Sequence, residues 1–177
     1  MKYEIFGDLL PAVRINLEKG ETVFSQVGGR TWARGDIETE TKGGGLGKMM
    51  GRAFTGESMF LSHYTANEDA EIVFSSNSPG NIKVFELAAD QSIIAQKHSF
   101  LVGTEDVTLQ AYMSRKISTG LVGGEGFLLQ KITGPGLGFV EIDGYGQEIE
   151  LGVGEEIVCD TGVMAVMDDT CTISVRQ

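Results

Sequence analysis

Apolar and polar residues alternate along much of this chain. Val13, Ile15 and Leu17 are separated by Arg14 and Asn16; Ile82, Val84 and Leu87 do nearly the same around Lys83 and Glu86. Phe139-Val140-Glu141-Ile142 and Thr170-Cys171-Thr172-Ile173-Ser174-Val175 read the same way. A period of two is the signature of a strand with one face buried. Turn signals separate the runs. Thr133-Gly134-Pro135-Gly136 suits a type II turn and hence a hairpin, and Ser78-Pro79-Gly80-Asn81 is similar. Gly28-Gly29, Gly103-Thr104-Glu105-Asp106 and Met167-Asp168-Asp169 follow comparable strands. One stretch departs from the alternation: Leu46, Met49, Met50 and Phe54 fall at helical spacing. Gly43 to Gly45 precede it and Gly47 and Gly51 weaken it, so it predicts a short helix at most, within a crossover.

The alternation is itself repeated. Ile15-Asn16-Leu17 is followed after five residues by Val23-Phe24, Phe85-Glu86-Leu87 by Ile93-Ile94, and Ile149-Glu150-Leu151 by Ile157-Val158. A second signature lies between these copies: Gly56-Glu57-Ser58-Met59-Phe60-Leu61 returns as Gly124-Glu125-Gly126-Phe127-Leu128-Leu129. Long-period repetition means one structural unit used several times. First-type modules are expected from about Val13 to Thr41, Ile82 to Tyr112 and Glu148 to Gln177, with second-type modules from about Lys42 to Ser75 and Lys116 to Asp143. The resulting units run over about 1–75, 76–143 and 144–177, with the last lacking its second-type module. The fold class is all-β. Such an arrangement leaves a terminal strand at Ile173 to Gln177 and apolar faces around Phe139, Ile142 and Ile157 uncovered, so a homo-oligomer, another protein or a longer natural chain is expected to cover them.

Composition narrows the class. The 177 residues are 41% hydrophobic, with 25 Gly and 3 Pro, which suits a globular core with many tight turns. The net charge of −11 disfavours nucleic acid, whose phosphates need a basic stripe, and anionic membrane surfaces. No window approaches the length of apolar sequence that a membrane helix needs, and Met1 to Leu10 has no signal-peptide pattern, so the chain reads as cytoplasmic. Cys159 and Cys171 form no CxxC pair and read as reduced thiols packed as small hydrophobes.

The chemistry-bearing residues are sparse. His63 and His98 are the only histidines and have no neighbouring second His, so neither marks a metal site, and no metal or cofactor is expected. No catalytic cluster of nucleophile, base and orienter appears. Gly134-Pro135-Gly136-Leu137-Gly138 lacks the Lys-Ser/Thr of a phosphate loop, and a hairpin explains it better. Glu57 and Glu125 are repeated carboxylates; brought together on a pseudo-threefold axis they would hold a cation, and as hydrogen-bonded turn residues they need none. Asp36, Asp106 and Asp169 recur as turn caps, and Trp32, the only tryptophan, belongs in a core. Lys42, Lys48 and Arg52 are the densest basic cluster and the candidate contact for an anion or a partner.

The run from Gly124 to Leu129 followed by Thr133-Gly134-Pro135-Gly136 resembles the hallmark of a widespread bacterial family of unknown function. That family is related to the mitochondrial-biogenesis proteins named for altered inheritance of mitochondria. Gly43 to Leu61 and Glu4 to Leu17 are also similar to it. The resemblance implies a fold like the tryptophan RNA-binding attenuation protein: three tandem double-stranded β-helix-like units in one chain, arranged about a pseudo-threefold axis. It marks Gly56, Glu57, Gly124, Glu125, Gly126, Gly134, Pro135 and Gly136 as structural repeat residues. It brings no catalytic residues, and the attenuation protein's basic RNA-binding ring and tryptophan loop have no counterpart in this acidic chain. A non-enzymatic scaffold or interaction protein is the first functional reading. A small-molecule or metal-binding β-helix protein, with or without catalysis in its barrel mouth, is the alternative, and RNA binding by analogy of fold is the weakest.

Overall fold

The computed structural model describes residues 1–43, 60–112, 129–160 and 162–174. These residues contain no helix and carry β1 (Lys2–Phe6), β2 (Ala12–Leu17), β3 (Thr22–Gln26), β4 (Arg30–Arg34), β5 (Ile37–Gly43), β6 (Phe60–Ala66) and β7 (Ala70–Ser75). β8 (Gly80–Leu87), β9 (Ser92–Gln96), β10 (Phe100–Thr104), β11 (Thr108–Tyr112), β12 (Leu129–Thr133), β13 (Gly136–Asp143) and β14 (Val166–Asp168) follow. The all-β expectation holds. The candidate helix over Leu46 to Phe54 lies outside the described residues.

Three antiparallel sheets result, ordered β1-β2-β7-β4, β5-β6-β3-β10-β13-β8 and β11-β12-β9-β14. The middle sheet is covered on both faces. Val23, Val102 and Phe139 point to one side and join Val13, Ile15, Ile72 and Phe74 of the first sheet. Phe24, Phe100 and Val140 point to the other and join Ile93, Ala95 and Ile132 of the third. Double coverage explains why the first four residues of β3 and of β10 are all buried, whereas β2 buries Val13, Ile15 and Leu17 and leaves Asn16 outside.

The strand pairing recurs along the chain. β7 pairs with β2 and β4, and β6 with β3 and β5; likewise β13 pairs with β8 and β10, and β12 with β9 and β11. The register is reproduced residue by residue. Ala33 lies opposite Ile72 as Gly103 lies opposite Gly138, and both pairings carry a β-bulge, between Arg30 and Trp32 and between Phe100 and Val102. Thr22 Oγ1 meets Thr65 Oγ1 at 2.9 Å, as Ser92 Oγ meets Thr133 Oγ1 at 2.8 Å. Two further contacts join successive copies: β3 pairs with β10, and β9 with β14.

Several sequence expectations change. Thr133-Gly134-Pro135-Gly136 is not a hairpin, because β12 and β13 belong to different sheets and the segment carries the chain between them. Its glycines answer close backbone approach. A Cβ on Gly134 would sit 2.6 Å from the Leu87 carbonyl oxygen, and one on Gly136, whose φ is +135°, would strike Thr104 Oγ1. Ser78-Pro79 likewise joins β7 of the first sheet to β8 of the middle one, with Gly80 and Asn81 already in strand. Gly103 and Thr104 lie inside β10, and Met167 and Asp168 inside β14, rather than in turns. Residues 169–174 are turn and irregular chain, so the strand expected over Thr170 to Val175 falls earlier, at Val166–Asp168. Ile149 to Leu151 and Ile157-Val158 lie outside the strands. Phe139 is fully buried, edge-on to Tyr3 with ring centres 5.1 Å apart, and Ile142 packs against the second core; Ile157 alone of the three named apolar positions is exposed. Trp32 is not in a core: it is 40% exposed on β4, an edge strand of the first sheet. Cys159 and Cys171 are free, but Cys159 is exposed rather than packed.

Candidate functional site

The repeated architecture places equivalent turns at one end of the sheets. The β3–β4 turn (residues 27–29), the β9–β10 turn (residues 97–99) and the chain around Gly162 are linked in series by glutamine side chains. Gln26 Nε2 donates to the Lys97 carbonyl at 3.1 Å, and Gln96 Nε2 donates to the carbonyls of Gly162 and Met164 at 2.8 Å each. Gln26 and Gln96 close equivalent strands, and Asp160 stands at the corresponding place in the third copy. A carboxylate accepts hydrogen bonds and cannot repeat this donation. The glutamines recur in the sequence, and that recurrence was their available signal; it is hidden because their neighbours, Val27-Gly28 and Lys97-His98, do not match.

Between the turns lies a cleft of about 340 Å³ lined by Gln26, Gln96, His98, Ser78, Glu141 and Asp143. Glu141 is held in place. Its carboxylate accepts from Ser76 Oγ at 2.6 Å and from the Asn77 amide at 3.2 Å, while its own amide donates to the Ser99 carbonyl at 2.8 Å. This clamp ties the β7–β8 crossover to the β9–β10 turn. His98 is exposed at the rim. Exposed Val27 lines the cleft, and further exposed apolar side chains lie on segments hydrogen-bonded to its surroundings. Val27, 56% exposed, donates its amide to the carbonyl of Phe60, 52% exposed. Leu9, 70% exposed, accepts the Gly80 amide beside the same crossover, with Leu10 next to it, and Val163, 66% exposed, sits in the third turn.

The other sequence candidates are dispersed. His63 lies on β6, opposite both Glu40 and Phe24, and stacks on the Phe24 ring at 5.5 Å. Burial pushes its pKa below the ordinary imidazole value and the Lys42 ammonium pushes the same way; Glu40 and Glu105 oppose them. Lys42, the penultimate residue of β5, forms an ion pair with Glu40 at 3.1 Å. Its partners in the basic cluster, Lys48 and Arg52, lie outside the described residues, as do Gly56, Glu57, Gly124, Glu125 and Gly126. Asp36 Oδ1 accepts from Asn67 Nδ2 at 3.3 Å and precedes β5; Asp106 lies in the turn before β11; Asp169 pairs with Lys131 at 3.4 Å. Among the described residues no group of three or more His, Cys, Asp or Glu is arranged to hold a metal ion, and no helix is long and apolar enough to cross a membrane.

The model of the family described as mitochondrial biogenesis AIM24 matches residues 3–177. The chain belongs to this family. It is 31% identical over 165 residues to an uncharacterized protein of Streptococcus pyogenes serotype M6, an alignment covering 88% of this chain and 62% of that protein. The crystal structure of a protein from S. pyogenes superposes with a TM-score of 0.62 and 26% identity, over 81% of this chain and 65% of that one. This family member therefore spans less than two thirds of the length of these relatives. Neither relative has a named activity to compare with the cleft or the turns.

Proposed function

We propose that this family member is a non-enzymatic scaffold that engages another protein through the turn-bearing end of its sheets. The observation that carries the reading is the gathering of exposed Leu9, Leu10, Val27, Phe60 and Val163 around turns locked by Gln26, Gln96 and Glu141. Apolar side chains held on a rigid frame cost little ordering entropy on binding, which is what a protein-binding surface needs. The Glu141 and Asp143 carboxylates beside them, and a net charge of −11, select a partner whose apolar contact is ringed by Lys and Arg. The same charge opposes RNA as the occupant.

A photo-crosslinking amino acid tests this in the cell. Placed at Val27 or Leu9 it is expected to give discrete protein adducts, and placed at Glu18, on a different turn, it is expected to give none. Equal labelling from both places, or none from Val27 and Leu9, overturns the reading. The alternative, a small polar ligand, is favoured by one observation only: the cleft sets His98 beside Glu141 and Asp143. Native mass spectrometry of protein purified without additives separates the two, since a retained small molecule lost on His98→Ala would support the ligand reading.

A further inference from the structure

We infer that the cleft between the turns receives one arginine side chain of a protein partner, with Glu141 and Asp143 as its acceptors; this rests on the protein-binding reading above and names the contact that fixes the partner in place. Residues two apart on a strand share a face, about 6–7 Å from each other. β13 therefore sets Glu141 and Asp143 on the face that carries Phe139, just past the end of the first core, and both line the cleft. Glu141 is not free to turn. Its Oε2 accepts from Ser76 Oγ at 2.6 Å and from the Asn77 amide at 3.2 Å, and Oε1 has no partner among the described residues. The exposed Asp143 carboxylate has none among them either. No Lys or Arg is among the described residues that line the cleft, so both charges face it without a cation.

The fold does not require these charges. Ile15 pairs with Ile72 as Phe85 pairs with Gly138, which makes Ser75 and Asn77 the counterparts of Glu141 and Asp143 in the first copy. The same strand thus forms there with a hydroxyl and an amide. The clamp onto the β7–β8 crossover uses one of the four carboxylate oxygens and leaves three without a donor among the described residues. Acceptors held in place without a donor select a cation. A metal ion needs further ligands, and among the described residues no group of three His, Cys, Asp or Glu is arranged to supply them. Two carboxylates at strand spacing suit the planar guanidinium, which offers N–H donors along several edges, better than the compact ammonium of lysine. A cleft of about 340 Å³ is at the small end of ligand pockets and admits one side chain rather than a strand or a helix. Val27 supplies an apolar wall for the arginine methylenes.

N-acetylarginine methylamide is the probe, titrated into isotope-labelled protein and followed by amide NMR shifts. Saturable shifts are expected at Asn77, Ser99 and Asp143. The citrulline analogue, equal in shape and uncharged, is expected to give none, and the lysine analogue to bind more weakly. Glu141→Gln keeps an oxygen for Ser76 and Asn77 and offers the guanidinium an amide donor, so affinity should fall at least about tenfold. Asp143→Asn installs the residue of the first copy at an exposed site and should weaken binding about two- to fivefold without unfolding the chain. Asp8→Asn, at an exposed carboxylate outside the cleft, should change nothing. Equal binding of the citrulline analogue, or unchanged affinity in both cleft variants, overturns the inference. Photo-crosslinking from Val27 identifies the source of the guanidinium: adducts weakened by Glu141→Gln and by Asp143→Asn assign it to the partner. Adducts unchanged in both variants overturn that assignment and leave the scaffold reading standing. No adducts from Val27 in the otherwise unaltered protein overturn the scaffold reading itself, and the partner's arginine with it.

Discussion

Replacing Phe139 by alanine should be among the costliest single changes in this chain. Its ring is fully buried, at 0% exposure, in the core between the first and middle sheets, and the Tyr3 ring meets it edge-on at 5.1 Å. Removing a buried phenylalanine costs about 3–5 kcal/mol through lost transfer energy and the cavity left behind. The neighbours cannot readily collapse inward, because Val84 and Val102 are held by pairing on both sides of β13. The edge-on contact with Tyr3 should contribute about 0.5–1.5 kcal/mol of the total. Urea unfolding followed by far-ultraviolet circular dichroism reads both quantities. With a slope of about 1–3 kcal/mol/M, the midpoint should fall by at least about 1 M. Tyr3→Ala, at a half-exposed site, should fall less, and the double mutant should be less destabilised than the sum by the coupling energy. A loss below about 1 kcal/mol for Phe139→Ala would refute the reasoning, since it is less than burial alone requires. A coupling energy of zero would refute the contact of β1 with β13 across the core.

Three further outcomes follow from the geometry. The lowered pKa of His63, caused first by burial and then by Lys42, means the unfolded chain binds a proton more readily; stability should therefore fall as pH drops through about 6.5, and the unfolding midpoint of His63→Gln should lose part of that fall between pH 7.5 and 5.5. Gly136→Ala places a methyl against Thr104 Oγ1 at a positive φ and should destabilise by about 1–3 kcal/mol, whereas Gly20→Ala, also at positive φ but with open space around it, should cost less; equal losses would mean that contact is irrelevant. Gln96→Ala removes both donations to the third turn, so amide exchange at Val163 should accelerate while that of Val102 stays unchanged; a uniform acceleration would place Gln96 in the global core instead.

Period-two alternation identifies β2, because one of its faces meets a core and the side-chain period of a strand is two; β8 and β13 show it less cleanly, since the doubly covered middle sheet sends Ile82 and Phe139 to one core and Leu87 and Val140 to the other. In the third copy Ile157 and Val158 carry the right spacing and lie outside the strands of the described residues. Spacing records which residues could share a face; it does not supply the adjacent backbone that satisfies their N–H and C=O groups. Gly134 and Gly136 show the same limit. Their glycine-proline pattern signals a change of direction, yet whether the chain returns to the same sheet or passes to another depends on where β8, β9 and β10 lie. Residue type alone places Trp32 in a core, and its exposure follows only from the edge position of β4 in its sheet. The functional end was less legible still. His63 and His98 drew notice as rare titratable residues, but their positions on separate strands and turns keep them apart. Gln26, Gln96, Ser76 and Glu141 are ordinary polar residues that become an interlocked group because antiparallel pairing brings turns distant in sequence to one end. The sequence by itself determined the all-β class and the repetition, which are local patterns copied along the chain. Sheet order, the doubly covered middle sheet, the open edge of β4 and the cluster of turns were decided by tertiary pairing, because each depends on contacts between residues dozens of positions apart.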